Sequence, residues 1–97
     1  MAIFSSESDQ KLEKQEKDKL YTEAVNLYIN DIYNFACYML RDKDEADDIV
    51  QKTFLSFYNN QNKLDWDRPL KPWLIKVARN YCLDYLRKRK ALLFSEV

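Results

Sequence analysis

The chain has 97 residues, with no glycine, no histidine and sixteen basic side chains balanced by sixteen acidic ones. That length bounds it to one domain that can bury enough apolar surface to fold alone, with little to spare. The missing His and Gly exclude His-based triads, His-containing zinc sites, Walker loops and glycine-fingerprint dinucleotide sites.

Residues 1–18 are polar and Lys/Glu-rich, and they read as a mobile tail ahead of a helical domain over residues 19–97. Glu13 and Lys17 stand at helical spacing, so the alternative is that the next helix extends backwards into this segment. From Leu20 to Leu40 the apolar positions Ala24, Leu27, Tyr28, Ile32, Phe35, Ala36, Met39 and Leu40 recur at three and four, which predicts a long amphipathic helix. Its longest apolar run, Phe35 to Leu40, is far too short to span a bilayer, and the start MAIFSSESDQ lacks the regions of a signal peptide. Cys37 and Cys82 make no CxxC pair and lie in apolar helical patterns, so both are expected as buried reduced thiols, which favours the cytoplasm.

Arg41 to Asp44 is a charged break, after which Asp44 is the expected cap of a second helix, with Glu45, Asp47 and Asp48 near its positive end. The inner face of that helix is Ala46, Ile49, Val50, Phe54, Phe57 and Tyr58. On the other side stand Asp48, Gln51, Lys52 and Leu55, either an ordinary solvated stripe with one exposed leucine or a surface for a partner protein. Asp47 and Asp48 do not make a carboxylate active site, because neighbouring helical positions point apart and the helix N-terminus accounts for both. The chain therefore reads as a non-enzyme that calls for no metal and no cofactor.

Asn59 to Asp67 reads as a loop carrying Asn59, Asn60, Gln61, Asn62, Lys63 and Trp66. Those side chains suit an unstacked base, but Asn and Asp also favour turns for local reasons. Pro69 and Pro72 lead into a third helix from about Pro72 to Lys90, with Leu74, Val77, Ala78, Tyr81, Cys82 and Tyr85 inward. No strand pattern competes. The fold class is all-α, a small bundle of three principal helices with room for a short extra one at the N-terminus.

Charge is divided along this layout. Residues 68–97 hold eight Lys or Arg against two acids, a net of plus six, and residues 1–67 hold eight against fourteen, a net of minus six. On the third helix Lys76, Arg79, Asn80, Leu83 and Arg87 form one stripe opposite much of the apolar face. The stripe is either a solvated basic face or a phosphate-binding surface, with Asn80 able to bond a base edge and Trp73 able to stack.

The segments DEADDIVQKTFLSFY and RPLKPWLIKVARNYCLDYLRKRK resemble region 2 of bacterial RNA polymerase sigma factors, especially the extracytoplasmic-function (ECF) class. The resemblance covers about Leu20 to Lys90. It rests on Glu45-Ala46-Asp47-Asp48 with Gln51 and Phe54, then Pro72-Trp73-Leu74, Ala78-Arg79-Asn80 and Asp84-Tyr85-Leu86-Arg87. It implies a transcription initiation module whose second helix binds the clamp coiled coil of the largest catalytic subunit of core RNA polymerase, through Asp48, Gln51, Lys52 and Leu55. Lys52 departs from the Glu that often follows the Gln in this family. The third helix and the preceding loop would recognise and help melt the minus-ten promoter element, mainly on the non-template single strand. Asn60, Asn62, Lys63, Lys76, Arg79, Asn80 and Arg87 would contact DNA, and Trp73 would either wedge at the melting edge or anchor the helix in the core. An anti-sigma factor is a further partner that the class implies, and no membrane is implied. Typical members carry a C-terminal helix-turn-helix domain for the minus-35 element, so the chain reads as a fragment or as a single-domain relative. The alternative to this reading is a helical interaction module that binds a regulatory protein without touching DNA.

Overall fold

The computed structural model describes residues 13–95, and among them the chain forms three α-helices, one short 3-10 turn and no strand. Helix α1 spans Lys14–Leu40, α2 spans Lys43–Asn60, the 3-10 turn is Gln61–Lys63, and α3 spans Leu70–Ser95. The all-α bundle expected from the periodicity is the fold, and none of these helices is long and apolar enough to cross a membrane.

Residues 1–12 of the expected tail lie outside the described residues. Residues 14–18 are helical, so α1 starts six residues before Leu20. Long-range partners account for that early start. The Gln61 amide donates to the Lys17 carbonyl at 3.0 Å, and the Tyr58 hydroxyl donates to the Asp18 carboxylate at 2.8 Å. The Lys17 ammonium also stands 5.8 Å over the Tyr58 ring.

The α1–α2 connection is only two residues long. With no glycine in the chain, the left-handed position that ends α1 falls to Arg41, at φ 56° and ψ 35°, whose N–H bonds the Cys37 carbonyl at 2.7 Å. Asp42 then caps α2, its carboxylate accepting from the Asp44 and Glu45 amides at 3.0 and 3.1 Å. The cap is thus Asp42, two residues before the expected Asp44. Asp44 instead joins Glu45 in the first turn, where negative charge meets the helix's positive end.

α2 runs to Asn60, which takes Asn59 and Asn60 out of the predicted loop. Asp65 closes the turn that follows: its carboxylate accepts from the Asp67 amide at 3.1 Å and its carbonyl from the Arg68 amide at 3.1 Å. α3 begins at Leu70, so Pro72 lies inside the first turn, where a missing N–H has no helical acceptor to lose. The helix then continues past Lys90 to Ser95.

The core is a set of lines at spacing four. α1 buries Ala24, Ile32, Ala36 and Leu40, α2 buries Ala46, Ile49, Val50, Thr53, Phe54 and Phe57, and α3 buries Leu74, Ala78 and Cys82. α2 buries the widest face, and each of the three helices packs against both others. Each fully buried large side chain, such as Phe54, Phe57 or Ile32, stabilises by about 2 kcal/mol through removal from water. The expected core member Leu27 is instead 69% exposed. It lies one position, about 100° of helix rotation, from Tyr28, and the Tyr28 side faces the bundle. Tyr58, Val77, Tyr81 and Tyr85 are half-buried at the edge of the core rather than within it. Cys37 and Cys82 are both free thiols, Cys82 buried and Cys37 half-buried.

Candidate nucleic-acid and protein interfaces

The 3-10 turn and the two prolines bring the segment after α2 back against the start of α3, and a cavity of about 410 Å³ opens between them. Leu64, Trp66, Pro69, Leu70, Pro72 and Trp73 form its walls, with Asp65, Arg68 and Lys76 at its charged edge. Both indoles meet the Phe57 ring edge-on, Trp66 at 6.2 Å and Trp73 at 6.4 Å between centroids. Trp73 is therefore half-buried, one side anchored on the core and the other lining the cavity.

The basic stripe of α3 leads away from this cavity. Lys76, Arg79, Asn80 and Arg87 are exposed, and Leu83 is half-buried among them. Lys76 and Arg79 have no ion-pair partner among the described residues, whereas Arg87 shares Asp84 with Lys88, at 3.7 and 3.1 Å. Flat rings beside unpaired cations form a surface that can stack a base and neutralise neighbouring phosphates.

The early loop residues are placed differently. Asn60 is half-buried and its amide donates to the Ser56 carbonyl of its own helix at 2.7 Å. Asn62 and Lys63 are exposed on the 3-10 turn, outside the cavity walls. Gln61 is fully buried. The walls are thus supplied by the apolar second half of the loop and by the two prolines rather than by the amides. Proline pairs next to tryptophan were the available signal for this, since both residue types make rigid apolar walls.

The second candidate surface lies on α2. Asp48, Gln51, Lys52 and Leu55 are all exposed, Leu55 at 58%, and they occupy one face away from the buried phenylalanines. Lys52 pairs with Asp48 at 3.1 Å, and this hydrogen bond, with the carboxylate's charge, holds the ammonium's pKa above its ordinary value. Lys52 and Leu55 also edge a groove of about 380 Å³ shared with Tyr81, Asp84 and Lys88 of α3. Its floor is tied by a hydrogen bond of 3.3 Å between the Ser56 and Tyr81 hydroxyls. The α3 side of this groove carried no sequence signal, because its residues are separated from α2 by some twenty-five positions.

The Sigma-70 region 2 family model matches residues 24–92. Among curated proteins the chain is 43% identical over 68 residues to the ECF RNA polymerase sigma factor SigM of Bacillus subtilis, covering 70% of this chain and 41% of that protein. It is 34% identical over 70 residues to SigW of the same organism, covering 72% of this chain and 37% of that one. SigX, also from Bacillus subtilis, is 29% identical over 65 residues, 67% of this chain and 34% of its own length. The chain thus spans between about a third and two fifths of these relatives. No solved structure matches it.

Proposed function

The chain belongs to the Sigma-70 region 2 family, in its extracytoplasmic-function class, and from that membership we propose a two-sided adaptor in transcription initiation. On one side the exposed Asp48, Gln51, Lys52 and Leu55 of α2 dock on the clamp coiled coil of core RNA polymerase. On the other, α3 and the cavity before it engage the melted minus-ten element. Lys76, Arg79 and Arg87 neutralise phosphates and Asn80 bonds a base edge. An unstacked base of the non-template strand enters between Trp66 and Trp73. The chemistry of RNA synthesis stays with the polymerase.

The observation that carries this reading is that the two exposed surfaces differ in chemistry. The aromatic cavity opens beside the unpaired Lys76, with the unpaired Arg79 one turn further along α3, while the α2 stripe is a separate exposed face with its own apolar knob, Leu55. Stacking and charge together are what single-stranded nucleic acid requires.

Retention of this chain on immobilised core RNA polymerase is the deciding experiment. Asp48→Ala and Gln51→Ala are each expected to weaken retention by about tenfold, as removal of an interface contact of 1–2 kcal/mol does. No retention of the unmutated chain would overturn the reading and leave an interaction module for some other protein.

A further inference from the structure

Among the described residues two polar side chains are fully buried, Thr53 and Gln61, and Gln61 is the larger. It is fully buried, yet it is polar, and its amide oxygen has no hydrogen-bond partner among the described residues. Its amide nitrogen donates to the Lys17 carbonyl, 44 positions earlier in the chain. Its main-chain carbonyl, in turn, accepts the indole N–H of Trp66 at 3.2 Å. One residue therefore connects the first turns of α1 to a wall of the aromatic cavity.

We propose that Gln61 is a positioning residue for the cavity, registering the loop against α1 through its side chain and fixing the Trp66 indole through its main chain. Stability alone does not account for it. The Lys17 carbonyl lies within α1, where the helical bond uses one lone pair, so Gln61 fills only the second. A buried carbonyl oxygen without a donor is a cost, and an apolar side chain of similar length removes it. What an apolar side chain does not supply is direction. The amide bond fixes where the 3-10 turn sits along α1, and so where the Gln61 carbonyl points. Trp66 itself is 46% exposed and has the Phe57 edge and that carbonyl as its anchors. An indole held before a base arrives avoids the ordering cost that a loose one incurs on binding.

The inference rests on the base-binding reading of the cavity only for its effect on DNA, and the test separates the two. In the full 97-residue chain, Gln61→Met keeps the length of the side chain and removes the donor. Hydrogen exchange at the Trp66 indole N–H is expected to accelerate by about tenfold, while core amides such as those of Phe54 and Leu74 keep their rates. An unchanged Trp66, or acceleration shared equally by the core amides, would overturn the positioning role. Gln61→Glu supplies a control that retains shape. While its buried carboxyl is protonated it still offers a donor to the Lys17 carbonyl, so slow Trp66 exchange, compared with wild type at the same pH, returns at low pH and is lost on ionisation.

For the DNA arm, the probes are single-stranded ten-nucleotide DNAs that differ at one central base, read by quenching of tryptophan fluorescence. Gln61→Met is expected to weaken binding by about fivefold. Equal binding by wild type and variant would refute the functional role of Gln61. No quenching of the unmutated chain by any probe would instead refute the cavity as a base site, with the exchange measurement still deciding whether Gln61 positions Trp66.

Discussion

At the scale of single residues, the tight α1–α2 connection is made by two neighbours with opposite fitness for their positions. Arg41 sits in the left-handed region, where its Cβ crowds the following carbonyl and glycine would not. Asp42 is well suited, its carboxylate satisfying two amides that the helix leaves without partners. The two substitutions should therefore move stability in opposite directions. Arg41→Gly is expected to raise unfolding stability by up to about 1 kcal/mol, and Asp42→Ala to lower it by about 1 kcal/mol. Urea unfolding of both variants checks this, and the same sign for both would show that the connection is not governed by local backbone geometry. Since the connection sets where α2 starts, it also sets the rotation at which Asp48, Gln51 and Leu55 emerge.

At the scale of elements, α1 and the end of α2 are tied by polar contacts between residues forty or more positions apart. Tyr58 donates to Asp18, packs edge-on against Tyr21 at 5.7 Å and carries the Lys17 ammonium over its ring. The bond to the carboxylate holds the neutral phenol and raises its pKa above 10.0, with desolvation and the charge of Asp18 adding to the shift. A raised folded-state pKa means that the stabilisation is fully present below the unfolded value and is lost as pH rises through the folded one. Tyr58→Phe should therefore be less stable than wild type at neutral pH. The gap should begin to narrow above the ordinary tyrosine value and close only above the raised folded-state one, as measured by denaturant midpoints across that range; a gap that persists beyond the folded-state value would mean packing, not the hydrogen bond, makes the tie. These contacts also explain what the sequence could and could not convey. The inward lines Ala24, Ile32, Ala36 and Leu74, Ala78, Cys82 were legible because they repeat at helical spacing. The start of α1 was not, since Lys17 and Asp18 are polar and become helical through Tyr58 and Gln61. The sequence does not separate Leu27 from Tyr28, because one apolar position beside another cannot be ranked without the neighbouring helix. The exposed candidates on α2 and α3 were legible as stripes, whereas the cavity walls arise from a fold-back of Leu64 to Leu70 that no period announces.

At the scale of the whole molecule, the basic pole is smaller than its sequence count suggests. Arg68 pairs with Asp65, Lys71 with Asp31, and Arg87 and Lys88 with Asp84, so part of the positive charge of residues 68–97 is spent within the protein. Lys76, Arg79, Arg89 and Lys90 have no ion pair among the described residues, and Lys90 lies 5.6 Å from the Phe94 ring. The exposed pairs are screened and weak, so a phosphate can compete for Arg87 and Lys88, but the cations free at the outset are few. Isolated binding to single-stranded DNA should accordingly be weak and depend on salt. With roughly four phosphates neutralised, the slope of log affinity against log salt is expected near −3, and Arg79→Ala should reduce its magnitude by roughly 0.7. Fluorescence anisotropy of a labelled ten-nucleotide single strand between about 50 and 200 mM salt measures both values. A slope near zero would remove α3 as a phosphate-binding face. A slope far steeper than −3 would mean that the paired arginines and lysines give up their carboxylates on binding, making Asp65, Asp31 and Asp84 competitors of the nucleic acid for the same cations.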